Sequence, residues 1–139
     1  MSGTLYSHHS EAPTPWTWPN FTPKELSSRN NQYYHHPPTL ELIQRARDYL
    51  KKPLTINSAH RDPLHNIAVG GAPRSAHLFI ALDVSTRNHD PYTVYQALLR
   101  SGFTTFGYYE SFLHVDVRPH RRWYGDRKAR AMWEPILLQ

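Results

Sequence analysis

Apolar positions recur at helical spacing over residues 38–51, where Leu42, Ile43, Ala46, Tyr49 and Leu50 share one side. Thr39 is placed to cap that helix, Lys51 and Lys52 complement its C-terminal end, and Pro53 stops it. Residues 91–100 predict a second helix, entered at Asp90-Pro91, with Val94, Ala97 and Leu98 inward and Ser101-Gly102 at its end. Two shorter helices are predicted: one over residues 21–29, with Thr22 as cap and Pro23 in the first position, and one over residues 62–69, entered at Pro63. Alternation at residues 54–58 predicts a strand, and residues 79–85 are apolar enough for a buried one. Residues 103–108 and 112–117 are two aromatic-rich strands flanking a turn at 109–111. Helices and strands do not alternate strictly, so the fold class is α+β, with a small antiparallel sheet flanked by helices.

Residues 1–20, rich in Pro, Ser, Thr and Trp, read as an extended arm held down by Trp16 and Trp18. Residues 21–139 then form a single domain. The Arg-rich C-terminal end reads as a solvated face on which Trp123 and Trp133 simply pack. A length of 139 residues suits one domain with a real core. No apolar run is long enough for a membrane helix. The absence of Cys excludes disulfides, thiolate-bound metals and thiol nucleophiles. A net charge of +5 suits an acidic partner, and nucleic acid, an anionic wall or an anionic membrane would each satisfy it.

Ten His invite a search for a metal site. A lone His is more often a satisfied core residue than a ligand. His77, Asp83 and His114 together offer two imidazoles and a carboxylate, the ligand number of hydrolytic zinc sites that leave a fourth position open. Asp83 sits in an apolar strand, where a carboxylate needs a partner of some kind.

The stretch 58–84 reads SAHRDPLHNIAVGGAPRSAHLFIALDV, and FLHVDVR follows at 112–118. Both segments, with Phe21 and Glu25 upstream, resemble the ordered motifs of the D-alanyl-D-alanine carboxypeptidase-like zinc peptidases, over roughly residues 21–123. The resemblance implies a hedgehog/DD-peptidase-like fold, a Zn2+ cofactor, and hydrolysis of peptidoglycan stem peptides or cross-links by a carboxypeptidase or endopeptidase. It implies His77, Asp83 and His114 as zinc ligands, Arg61 as the residue that binds substrate or stabilises the oxyanion, and Ser75 as a substrate-binding hydroxyl. Arg suits its role, being always charged and presenting a planar fork of donors. His77 and Asp83 are six residues apart where the family has seven, and Ile80 stands at the family's Gly.

The family's usual places for a general base hold Ser111 and Phe112. Two carboxylates remain for that catalytic role. Glu110, on the turn, is the first candidate. Asp116 shares a strand face with His114, so it can accept a proton or hold an imidazole. Residues 1–9 show no basic cluster followed by an apolar stretch. The expectation is therefore a phage lysis enzyme kept in the host cytoplasm until holin release, a virion-associated one, or a bacterial homologue exported by another route, acting on the bacterial wall. Its partners would be the peptidoglycan stem peptide and virion proteins, with no nucleic acid and no membrane. The alternative is a non-catalytic module of the same fold that binds wall or virion.

Overall fold

The structure is a computed structural model that describes residues 3–59 and 81–138. The helix expected over 62–69 and the start of the strand expected at 79–85 lie outside the described residues. Strands β1 (Thr4–Tyr6) and β2 (Tyr33–His35) pair as an antiparallel ribbon. Helix α1 (Pro37–Leu50), β3 (Ile56–Ser58), β4 (Leu82–Ser85), α2 (Pro91–Ser101), β5 (Thr105–Tyr108), β6 (Phe112–Asp116), β7 (Arg122–Tyr124) and α3 (Arg127–Leu137) follow. The main sheet runs β3-β4-β6-β5-β7. Its first four strands are antiparallel neighbours, and the edge strand β7 lies parallel to β5. The class is α+β, as the sequence predicts.

Local chemistry explains where the elements begin and end. Helix α1 starts one residue earlier than expected, with Pro37 in the first turn, and its cap is His36 rather than Thr39. The His36 backbone is extended, its ring Nδ1 accepts from the Thr39 N–H at 3.3 Å, and the Thr39 hydroxyl lies 2.8 Å from the same nitrogen. Lys51, with φ of 59°, ends the helix in the left-handed region. Asp90 caps α2 through the Thr93 N–H, as expected. Gly102, at φ 122°, ends it where an added Cβ would lie 3.0 Å from Leu42 of α1.

Residues 21–29 are turns, not the expected helix. Thr22 and Glu25 exchange the reciprocal hydrogen bonds of a helix start. The Ser27 hydroxyl then bonds the Lys24 carbonyl and Ser28 bonds the Gln32 N–H, so side chains take groups a helix would need. The N-terminal segment carries β1 and a 3-10 turn at His9–Glu11 rather than being extended throughout. The Trp16 indole donates to the carbonyls of Trp18 and Phe21, and that of Trp18 donates to Glu41 on α1. The C-terminal end is also not a plain solvated face: Asp126 caps α3, which buries Ala129 and Trp133. Trp133 packs against Tyr95 and Tyr108.

Strand alternation gives the main sheet two unlike faces. Leu82 and Val84, Leu113 and Val115, and Phe106 and Tyr108 belong to the buried hydrophobic core with residues of α1 and α2. The opposite face presents Asp83, His114, Asp116, Thr105 and Gly107 on neighbouring strands.

Candidate metal centre

Asp83 of β4 and His114 of β6 are direct partners in the antiparallel register, which brings their side chains together on the polar face. His114 Nδ1 lies 3.4 Å from Asp83 Oδ1. Both residues are buried, at 6% and 7% exposure. Two ligands at zinc bond lengths of ~2.0–2.1 Å in tetrahedral geometry are ~3.3 Å apart, so the spacing of this nitrogen and oxygen fits a shared metal ion.

The other imidazole nitrogen is held from behind. His114 Nε2 and Asp116 Oδ2 are 2.6 Å apart. Asp116 is completely buried and its carboxylate is fully engaged. Oδ1 accepts from the Arg118 backbone N–H at 2.9 Å and from Arg118 Nε at 3.0 Å, and Oδ2 accepts from Arg118 Nη2 at 2.7 Å. With the proton on Nε2, the lone pair of Nδ1 points toward Asp83. This is how outer carboxylates orient imidazoles in metal sites.

The electrostatics agree. Burial would raise the Asp116 pKa, but the bonds from His114 and Arg118 outweigh it and hold the carboxyl well below the usual range. Burial would lower the His114 pKa, but Asp116 and Asp83 outweigh that and hold it above the ordinary imidazole value. The pocket favours positive charge at the imidazole. That charge is supplied equally well by a proton or by a cation at Nδ1.

Trp123 forms one wall. Its ring lies 4.9 Å from that of His114, centroid to centroid. Gly107 stands between them in the sheet, opposite His114 on one side and Trp123 on the other. A Cβ on Gly107 would come within 2.5 Å of the indole, so glycine is what admits Trp123 to the site. The indole N–H donates to the Tyr109 hydroxyl, Tyr109 stacks on Phe112 at 4.3 Å, and Trp133 donates to the Tyr109 carbonyl. The turn that carries Glu110 is therefore tied through Tyr109 to Trp123 and Trp133.

The structure thus brings Asp83, His114 and Asp116 together. Glu110 is exposed on its turn and makes no hydrogen bond or ion pair with the described residues. Arg61, Ser75 and His77 lie outside the described residues; among those described, Asp83 and His114 face one another while Asp116 stands behind the imidazole, so no set of three side chains is placed to hold one metal ion. Arg118, Gly107 and Trp123 are the contributors that sequence reasoning passed over. The signal for Arg118 is the period-two run His114, Asp116, Arg118, in which the last carries the charge the second needs. Trp123 had no such signal, because only the parallel pairing of β7 with β5 brings it over Gly107.

A family model described as Peptidase M15 matches residues 19–117, a span that includes Asp83, His114 and Asp116. No curated protein matches the chain.

Proposed function

The chain belongs to the peptidase M15 family, and from that premise we propose that it is a zinc peptidase that cleaves peptide bonds in peptidoglycan stem peptides or cross-links. Peptidases of this family are generally zinc-dependent. The observation that carries the proposal is the opposed Asp83–His114 pair, 3.4 Å apart and braced by Asp116 and Arg118. Asp83 and His114 would hold the ion with His77 as third ligand. A zinc ion there would lower the pKa of water and polarise the scissile carbonyl.

The other roles fall to this chain's own side chains. Asp116 keeps the His114 proton on Nε2. Its oxygens are already occupied by His114 and Arg118, so it is a positioning residue and has no lone pair to spare for a substrate proton. The proton of the attacking water then goes to the Glu110 carboxylate, on the turn that Trp123 and Trp133 anchor. Arg61 binds the peptide carboxylate or the developing oxyanion, and Ser75 donates to the substrate backbone. The test is incubation of purified peptidoglycan with the protein and mass analysis of the products. Release of terminal D-alanine identifies a carboxypeptidase, and loss of cross-linked dimers identifies an endopeptidase. No new amine or carboxyl group under zinc-replete conditions refutes the proposal.

A further inference from the structure

One stretch carries the net charge of the whole chain. Residues 118–130 hold six of the sixteen Lys and Arg and one of the eleven Asp and Glu, which gives this stretch alone +5. The remaining ten cationic and ten acidic residues cancel. The stretch contains β7, an edge strand of the main sheet, and the first turn of α3. Arg118 is engaged by Asp116. Arg121, Arg122, Arg127, Lys128 and Arg130 are exposed.

Two features separate this edge from an ordinary solvated surface. Three guanidinium groups lie over rings: Arg121 over Trp123 at 5.8 Å, Arg122 over Phe106 at 4.6 Å and Arg130 over Tyr124 at 5.8 Å. Those contacts limit how far the cations can swing. Arg127 and Lys128 fill the first two positions of α3, and its first turn holds no acidic residue. The helix dipole disfavours cations there. One oxygen of the Asp126 carboxylate accepts from the Ala129 N–H, and Glu134 pairs with Arg130. Cations kept where they weaken their own helix serve something other than the fold.

We infer that this edge is a subsite for the carboxylates of a polymeric substrate: the stem peptides next to the scissile one lie along β7 and the start of α3. The inference rests on the peptidase proposal for the substrate's identity. It is favoured by continuity, because Trp123 touches His114 and Arg121 lies over Trp123. The chemistry also matches. Arginine forks bind carboxylates in bidentate fashion, and several exposed cations acting together on a repeating anion give a hold that salt weakens.

The test uses the zinc-loaded full chain and the triple variant R121Q/R127Q/K128Q. Co-sedimentation with purified sacculi is measured at low salt and at about 0.5 M salt, where screening lengths fall to a few Å. It is repeated with sacculi whose carboxylates are capped as amides, with sacculi freed of phosphodiester polymers, and with duplex DNA as competitor. The triple variant should keep or raise its melting temperature and cleave a short soluble stem peptide within about twofold of the parent rate. Its sacculus binding should fall by roughly tenfold or more, as should that of the parent at high salt or on capped sacculi. Removing phosphodiester polymers should change nothing. Binding that ignores the triple substitution, that follows the phosphodiesters rather than the carboxylates, or that DNA abolishes at equal charge would overturn the inference. The two proposals fail separately. If no peptide is cut while binding still depends on carboxylates, the edge stands and the peptidase proposal falls.

Discussion

Replacing Asp116 by Asn changes one atom in a fully enclosed place and has two separable consequences. The side chain is 0% exposed and engages both His114 and Arg118. Breaking one partner of a buried ion pair costs ~3–5 kcal/mol. The Arg118 side chain is a quarter exposed, so water screens part of that loss. The expected destabilisation is therefore roughly 2–4 kcal/mol, or about 10 °C in melting temperature for a domain of this size. The second consequence is chemical. To keep accepting from Arg118 Nε and N–H, the Asn oxygen must take the Oδ1 position, which turns its NH2 toward His114 Nε2. That nitrogen then has to accept, so the ring proton moves to Nδ1, facing Asp83. A protonated Nδ1 has no lone pair for a metal, and zinc affinity should fall ~10–100-fold. Calorimetry of the metal-free protein, ring 15N shifts of His114 and competitive zinc titration measure the three effects. A variant that keeps its proton on Nε2, its melting temperature and its zinc affinity would refute this account of the brace.

Three further outcomes are expected. Gly107→Ala places a methyl 2.5–2.6 Å from the Trp123 indole, so the ring must leave His114; overpacking of this kind costs ~1–3 kcal/mol. The change should weaken zinc binding in the parent but not further in a Trp123→Ala background, a cycle that isolates the contact. Glu110→Gln should retain zinc and structure and lose most of kcat on stem peptide; full activity would remove Glu110 from proton transfer. Metal-free stability should peak in mild acid. The His114 pKa lies above its ordinary value, so its contribution is complete below that value and is lost as pH rises through the folded one. The Asp116 pKa lies below its ordinary value, so its contribution is present above that value and is lost as pH falls through the folded one. A melting temperature flat across both limbs would contradict the coupling among Asp83, Asp116, Arg118 and His114.

Periodic segments were legible in the sequence, and so was strand alternation. The α1 and α2 helices follow from apolar spacing, and the opposed positions of Asp83 and His114 follow once two apolar strands are paired. What escaped depends on partners distant in the chain. The ribbon of β1 and β2 joins Thr4–Tyr6 to residues about thirty positions away, with no turn signal linking them. Helix α3 carries Arg127, Lys128, Arg130 and Glu134 and has Pro135 inside it, which reads as a solvated, irregular end although Ala129 and Trp133 are buried. His36 caps α1 because its ring reaches the Thr39 N–H, a geometry that the usual Ser, Thr, Asp or Asn rule does not cover. In the site, His114 and Asp116 announce themselves by type and spacing. Arg118 reads as surface charge until the enclosure of Asp116 makes a counter-cation necessary.

Asp83 and His114, with His77, are proposed to hold one zinc ion on which peptide cleavage depends. The direct measurement is zinc per chain by atomic spectroscopy, on the parent protein and on His77→Ala, Asp83→Asn and His114→Ala, each shown to be folded by circular dichroism and each assayed on the same peptidoglycan. One zinc per parent chain, near none in the three variants, and cleavage only where zinc is bound are the expected results. Stoichiometric zinc that survives both His77→Ala and His114→Ala, or cleavage undiminished after chelation, would contradict that assignment.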